Sequence, residues 1–153
     1  MGWTFHENEL DSADVQGLLA LHVAAMRACS PPGACHVLPP ENLRAADIRF
    51  FSVREAGRLL GIGALKRLAA DHCEIKSMRT APEALGRGVG LAMLRHLMDE
   101  VRRGGCARLS LETGTGEAFT AALALYAGAG FVPCGPFGGY AETPFTRFFT
   151  RAL

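Results

Sequence analysis

Apolar and polar positions along this chain switch repeatedly between two periods. Residues 3–7 alternate like a short strand. Val15, Leu18, Leu19, His22, Val23 and Met26 recur at three- and four-residue steps. That spacing predicts a helix with one apolar face, capped by Asp11 or Ser12 and ended by Ser30-Pro31-Pro32-Gly33. Pro39-Pro40 opens a helical turn through Leu43. Three strand-like stretches follow at 49–54, 59–68 and 73–80, separated only by short turns, which predicts an antiparallel meander. After the cluster Gly86-Arg87-Gly88-Val89-Gly90, a helix with Val89, Ala92, Met93, Leu97 and Val101 on one side runs to Arg103 and stops at Gly104-Gly105. Residues 107–111 read as a strand and 116–129 as a helix ended by Gly130. Phe131-Val132 begins another strand, 133–144 is a Gly/Pro-rich loop, and 145–153 is a last strand.

This order predicts a single domain over residues 1–153, of α/β (α+β) class, with helices flanking a mixed, mostly antiparallel sheet. The strands on either side of the helix from Gly88 should be parallel, because a right-handed crossover joins them. The sheet is thus expected to be antiparallel in front and parallel behind. The last strand carries Phe145, Phe148 and Phe149. It reads either as an exposed sheet edge covered by a second copy, giving a homodimer, or as ordinary core packing.

Composition narrows the function classes. Lys and Arg number 16 against 15 Asp and Glu, a net of +1, which argues against binding nucleic acid or an anionic membrane by bulk charge. No apolar run approaches the roughly 20 residues of a membrane span, and the first seven residues lack a signal-peptide pattern. The five cysteines are odd in number and show no metal-binding spacing, so no metal is expected. Cys73, Cys106 and Cys134 sit in apolar stretches where a free thiol acts as a small hydrophobe; a reduced, cytoplasmic protein is the expectation.

The glycine cluster is the first candidate for chemistry. Glycines between a strand end and a helix start leave backbone N–H groups unshielded where the helix dipole adds positive charge, a cradle for phosphate oxygens. A plain loop, or a close helix–sheet contact, reads equally well from the cluster alone. A Walker loop is excluded, since no Gly-Lys-Ser/Thr occurs there. A Rossmann fingerprint fits badly: Leu91 takes the place of its third glycine, and residues 81–85 separate strand from cluster, although Glu112 stands about where a ribose-binding acid would.

The stretch Met78-Arg79-Thr80-Ala81-Pro82-Glu83-Ala84-Leu85-Gly86-Arg87-Gly88-Val89-Gly90 resembles the acyl-CoA loop of the GNAT N-acetyltransferases, with Leu85 at the usual Arg/Gln position. A second block, Ala122-Leu123-Ala124-Leu125-Tyr126-Ala127-Gly128-Ala129-Gly130-Phe131, resembles that superfamily's Ala-x-x-Leu-Tyr-x-x-x-Gly-Phe, with Phe119 where an Asn often opens it. Glu74-Ile75-Lys76-Ser77-Met78-Arg79 and Leu111-Glu112-Thr113-Gly114 are similar to a small bacterial branch of the superfamily. The resemblance covers residues 49–153 and implies acetyl-CoA as cosubstrate and a small-molecule amine or amino acid as acceptor.

By that resemblance, the amides of Leu85, Gly86, Arg87, Gly88, Val89 and Gly90 hold the CoA pyrophosphate, with Arg87 or Arg79 adding charge. The backbone of Met78 and Thr80 pairs with the pantetheine arm like an added strand. Glu74 is the first candidate for general base and Glu112 the second, the competing reading of Glu74 being a carboxylate paired with Lys76. Tyr126 matches the tyrosine that gives a proton to the leaving thiolate. Arg27, Ser30, His36, Glu112 and Tyr140 are candidate acceptor contacts, with Arg27 a guess for a carboxylate. His22 falls on an apolar face and reads as a core histidine; His96 reads as a packing or surface residue. A non-catalytic CoA-binding sensor is the alternative function, kept open by Leu85 and Phe119.

Overall fold

Val15, Leu18, Leu19, His22 and Val23 form the buried stripe of α1 (Ala13–Ala28) in the computed structural model, which describes residues 2–31 and 35–153. Pro32 and Gly33 of the expected helix stop lie outside the described residues. Ser12 stands at the cap position, but its hydroxyl donates to Asp14 at 2.6 Å rather than capping the helix. The remaining elements are β1 (Trp3–Glu7), a single-turn helix (Pro40–Arg44), β2 (Ile48–Glu55), β3 (Arg58–Ala69), β4 (His72–Thr80), α2 (Val89–Arg103), β5 (Arg108–Gly114), α3 (Thr120–Gly128), β6 (Val132–Cys134) and β7 (Thr146–Ala152).

The seven strands form one sheet in the order β1-β2-β3-β4-β5-β7-β6. Among the described residues only β4 and β5 pair in parallel, joined by α2 as the crossover rule requires. The expected parallel rear half is therefore corrected: β7 inserts between β5 and β6 and runs antiparallel to both. The same insertion removes β7 from the edge. Phe148 is buried, β6 takes the edge position, and the reason given for a homodimer falls with it.

Close contact between α2 and β3 sets the site's frame. A Cβ on Gly61 would stand 2.9 Å from Val89 Cγ1, and one on Gly63 would stand 2.9 Å from Met93 Cγ. Two glycines in β3 thus let α2 lie tight on the sheet, burying Val89, Met93, Leu94, Leu97, Met98 and Val101. Leu97 is wholly buried, and cutting it to Ala would cost about 2–5 kcal/mol. The helix start, and the loop before it, is thereby held rigidly at the C-terminal end of β4. His22 is buried as expected, and His96 stacks on Phe5 with ring centroids 4.2 Å apart.

Candidate active site

β4 and β5 pair only from His72↔Arg108 to Ile75↔Leu111. Beyond that point β5 continues against β7, and β4 against β3. The two strands part, and one edge of β4 from Lys76 to Thr80 has no strand partner among the described residues. Ala81 N–H turns back to the Leu60 carbonyl at 2.8 Å. Successive peptides alternate between strand edges, so Thr80 and Met78 present theirs to the open side. The parting opens into a cavity of about 450 Å³ between α1, β4, β5 and α3.

Next to Leu85 and Gly90, which line the cavity, lies a loop of bare backbone. Gly86 and Gly88 have φ of +79° and +86°, a left-handed conformation that glycine adopts without a Cβ clash. They curl the chain so that α2 begins at Val89 with Gly88 as its cap and no side chain occupying the first amides. A Cβ on either glycine would meet nothing within 4 Å, so the space above the loop is open. Free amides at a helix start, with the positive end of the dipole, suit phosphate. Leu85 is 67% exposed, and its backbone N–H already donates to the Pro82 carbonyl at 3.4 Å, so it is not a free amide as expected. Arg87 is not free to add charge as expected: its guanidinium binds Glu55 at 2.9 and 3.0 Å and lies over the Trp3 ring.

The other end is made of side chains. Glu74 is 2% exposed, and its Oε2 accepts the Tyr140 hydroxyl at 2.6 Å. Lys76 Nζ stands 3.4 Å from the same oxygen, donates to the Tyr140 oxygen, and reaches the His36 carbonyl at 3.4 Å. Burial and the Glu74 carboxylate push the Tyr140 hydroxyl well above the usual phenol range. Glu112 faces the cavity from β5, with His36 Nδ1 3.3 Å from its Oε2 but out of line for a hydrogen bond. Burial raises the Glu112 carboxyl above its ordinary value, an effect that the nearby His36 only partly opposes. Tyr126, on α3, lines the cavity; burial pushes its hydroxyl up to about 12, so it stays a proton donor at neutral pH. Phe119, standing where relatives often carry Asn, is buried against Gly114, where a Cβ would lie 2.4 Å from its ring.

The structure thus brings Glu74, Tyr140, His36, Glu112, Met78, Thr80, Leu85, Gly90 and Tyr126 to one cavity or its rim. It does not bring Arg27 or Ser30 there, Arg27 being exposed and Ser30 half-buried, and Gly86, Arg87, Gly88 and Val89 lie beside the cavity rather than on its wall. Lys76 was visible in sequence only as a partner for Glu74; its place beside Tyr140 comes from the return of the 135–144 loop. The contact between Arg79 and His22 has no signal in the sequence, because it depends on the register shift within β4. Among the described residues, no cluster of three or more His, Cys, Asp or Glu side chains is placed to hold a metal, and no helix is long and apolar enough to cross a membrane.

The Acetyltransferase (GNAT) family model matches residues 17–131. The N-acetyltransferase YedL of Escherichia coli is 44% identical over 151 residues, covering 99% of this chain and 95% of YedL. An acyl-CoA N-acyltransferase structure from Klebsiella pneumoniae superposes with a TM-score of 0.80 at 25% identity, covering 99% of this chain and 97% of that one. A GNAT acetyltransferase from Elizabethkingia anophelis with acetyl-CoA bound shares the fold at a TM-score of 0.72 and 17% identity, covering 99% of each chain. The chain belongs to the GNAT acetyltransferase family and is an N-acetyltransferase.

Proposed function

We propose that this enzyme moves the acetyl group of acetyl-CoA directly to a primary amine of a small molecule or amino acid. The observation that carries the reading is the parting of β4 from β5, with a helix start at one end of the opening and buried carboxylates at the other. The pyrophosphate would lie on the amides of residues 86–90, and the pantetheine arm would pair with Met78 and Thr80 along the open edge of β4. Those contacts bring the thioester to the point where the strands separate. A backbone N–H of β4 there can donate to the carbonyl oxygen as it gains negative charge.

The amine nitrogen attacks the thioester carbon, and the tetrahedral intermediate then expels CoA thiolate. The proton lost by the amine goes to Glu112, directly or through water. Two facts support Glu112: burial raises its carboxyl above the ordinary value, and its neighbour His36 is not in line to cover it with a hydrogen bond. Glu74 already holds Tyr140 and Lys76, which fits a positioning role. Tyr126 gives its proton to the departing sulfur. All five cysteines are free, in keeping with a reduced cytoplasmic compartment.

Titration with acetyl-CoA, followed by a thiol-release assay over a panel of amines, tests the reading. Binding with turnover on at least one primary amine is expected. Binding without turnover on any amine would favour a CoA sensor, and absence of binding would overturn the donor assignment.

A further inference from the structure

The register of β4 contains an anomaly that bears on the acceptor. Glu74 pairs with Lys66, Lys76 with Ala64, and Arg79 with Ile62. The partners step by two, while the β4 residues step by two and then by three. Ser77 and Met78 therefore stand opposite Gly63 alone, a β-bulge, with Ser77 at φ +53°. An unbulged strand would send Arg79 to the opposite face from Glu74. The bulge returns it to the face that carries Glu74 and Lys76, where it meets His22 of α1.

Among the described residues, Arg79 is the cation at this site without a counter-charge. Lys76 stands beside Glu74, and Arg87 is paired with Glu55. The hydrogen bond that Arg79 makes to a described residue is from Nε to His22 Nδ1, at 3.0 Å. Burial and the guanidinium hold His22 at about 4, so its imidazole is neutral and accepts that bond. The bond orients the guanidinium and leaves both Nη groups without a described partner, on the wall of the cavity. A half-buried guanidinium facing no carboxylate is unfavourable until an anion arrives, and its fork geometry suits a carboxylate held by two parallel bonds.

We propose that Arg79 anchors a carboxylate of the acceptor, so that the amine acetylated here belongs to a molecule that also carries a carboxylate, as a free amino acid does. This rests on the reading of the cavity as the acetyl-transfer site. His22 is the positioning residue that holds the anchor in plane. On this reading the CoA phosphates lie on the amides of residues 86–90, and Arg79 is left to the acceptor.

The test uses the full chain, acetyl-CoA, and the standard amino acids, each matched with its carboxamide and its decarboxylated amine. Native enzyme should prefer the free acid by about 10- to 100-fold in kcat/KM, mainly through KM. Arg79→Met should bring the ratio of kcat/KM for the free acid over the decarboxylated amine close to one; Arg79→Lys should restore part of that ratio. If Arg79→Met does not fold, the native series decides alone. Equal kcat/KM for acids and carboxamides would overturn the proposal. So would an equal fall in kcat on every amine in Arg79→Met, which would assign Arg79 to the leaving thiolate. No turnover on any amine would overturn the transfer reading itself.

Discussion

The two ends of the cavity are built from different materials. The donor end consists of peptide groups: the open edge of β4 and the amides around Gly86 and Gly88. The acceptor end consists of side chains, Glu74, Lys76, Tyr140, His36, Glu112 and Arg79, drawn from β4, β5 and two loops. A backbone site tolerates side-chain change, which is why Leu85 can stand where relatives place Arg or Gln. A side-chain site changes its chemistry with each substitution. One scaffold can thus keep its acyl donor while its acceptor varies.

This contrast can be broken by single substitutions. The largest effect should come from Glu112→Gln, which removes the proposed proton acceptor: kcat should fall about 10²- to 10⁴-fold, with acetyl-CoA affinity unchanged. The native kcat should also show an acid limb shifted upward from that of an ordinary carboxylate. Burial raises this carboxyl, the deprotonated form is the active one, and activity is lost as pH falls through the raised value. The limb should vanish in the variant; its persistence would remove Glu112 from the role.

Gly88→Asp tests the donor end. It places a side chain at φ +86° and a negative charge in the phosphate cradle. Together these should weaken acetyl-CoA binding about 30-fold or more, measured calorimetrically. Glu74→Gln should lower kcat by only about 10-fold, because it loosens the hold on Tyr140 and Lys76 rather than removing the base. A loss equal to that of Glu112→Gln would restore Glu74 as the base. Arg87→Ala should change acetyl-CoA affinity by less than about threefold, since its charge is already met by Glu55 at the surface.

The same contrast explains what could be read from the chain itself. Local patterns carry the donor end: the glycines precede an amphipathic helix, and the strand before them is continuous in sequence. The element order and nearly every boundary follow from that same periodicity. The acceptor end depends on contacts between distant segments. Tyr140 reaches Glu74 across 66 residues, through a loop whose Gly/Pro composition specifies no path. The insertion of β7 between β5 and β6 is likewise a non-local choice, and short strands carry no signal of their neighbours. The bulge at Ser77 is hidden for another reason: serine is an unusual residue at positive φ, so nothing in its identity announces the turn of face that brings Arg79 to the cavity.

The claim that the donor is held by backbone, independently of the acceptor chemistry, is tested most directly by one calorimetric series. Acetyl-CoA is titrated into the native chain, Glu112→Gln and Gly88→Asp under one set of conditions. Native and Glu112→Gln proteins should bind alike, and Gly88→Asp should bind about 30-fold or more weakly. Equal affinity in Gly88→Asp, or loss of affinity in Glu112→Gln, would contradict it.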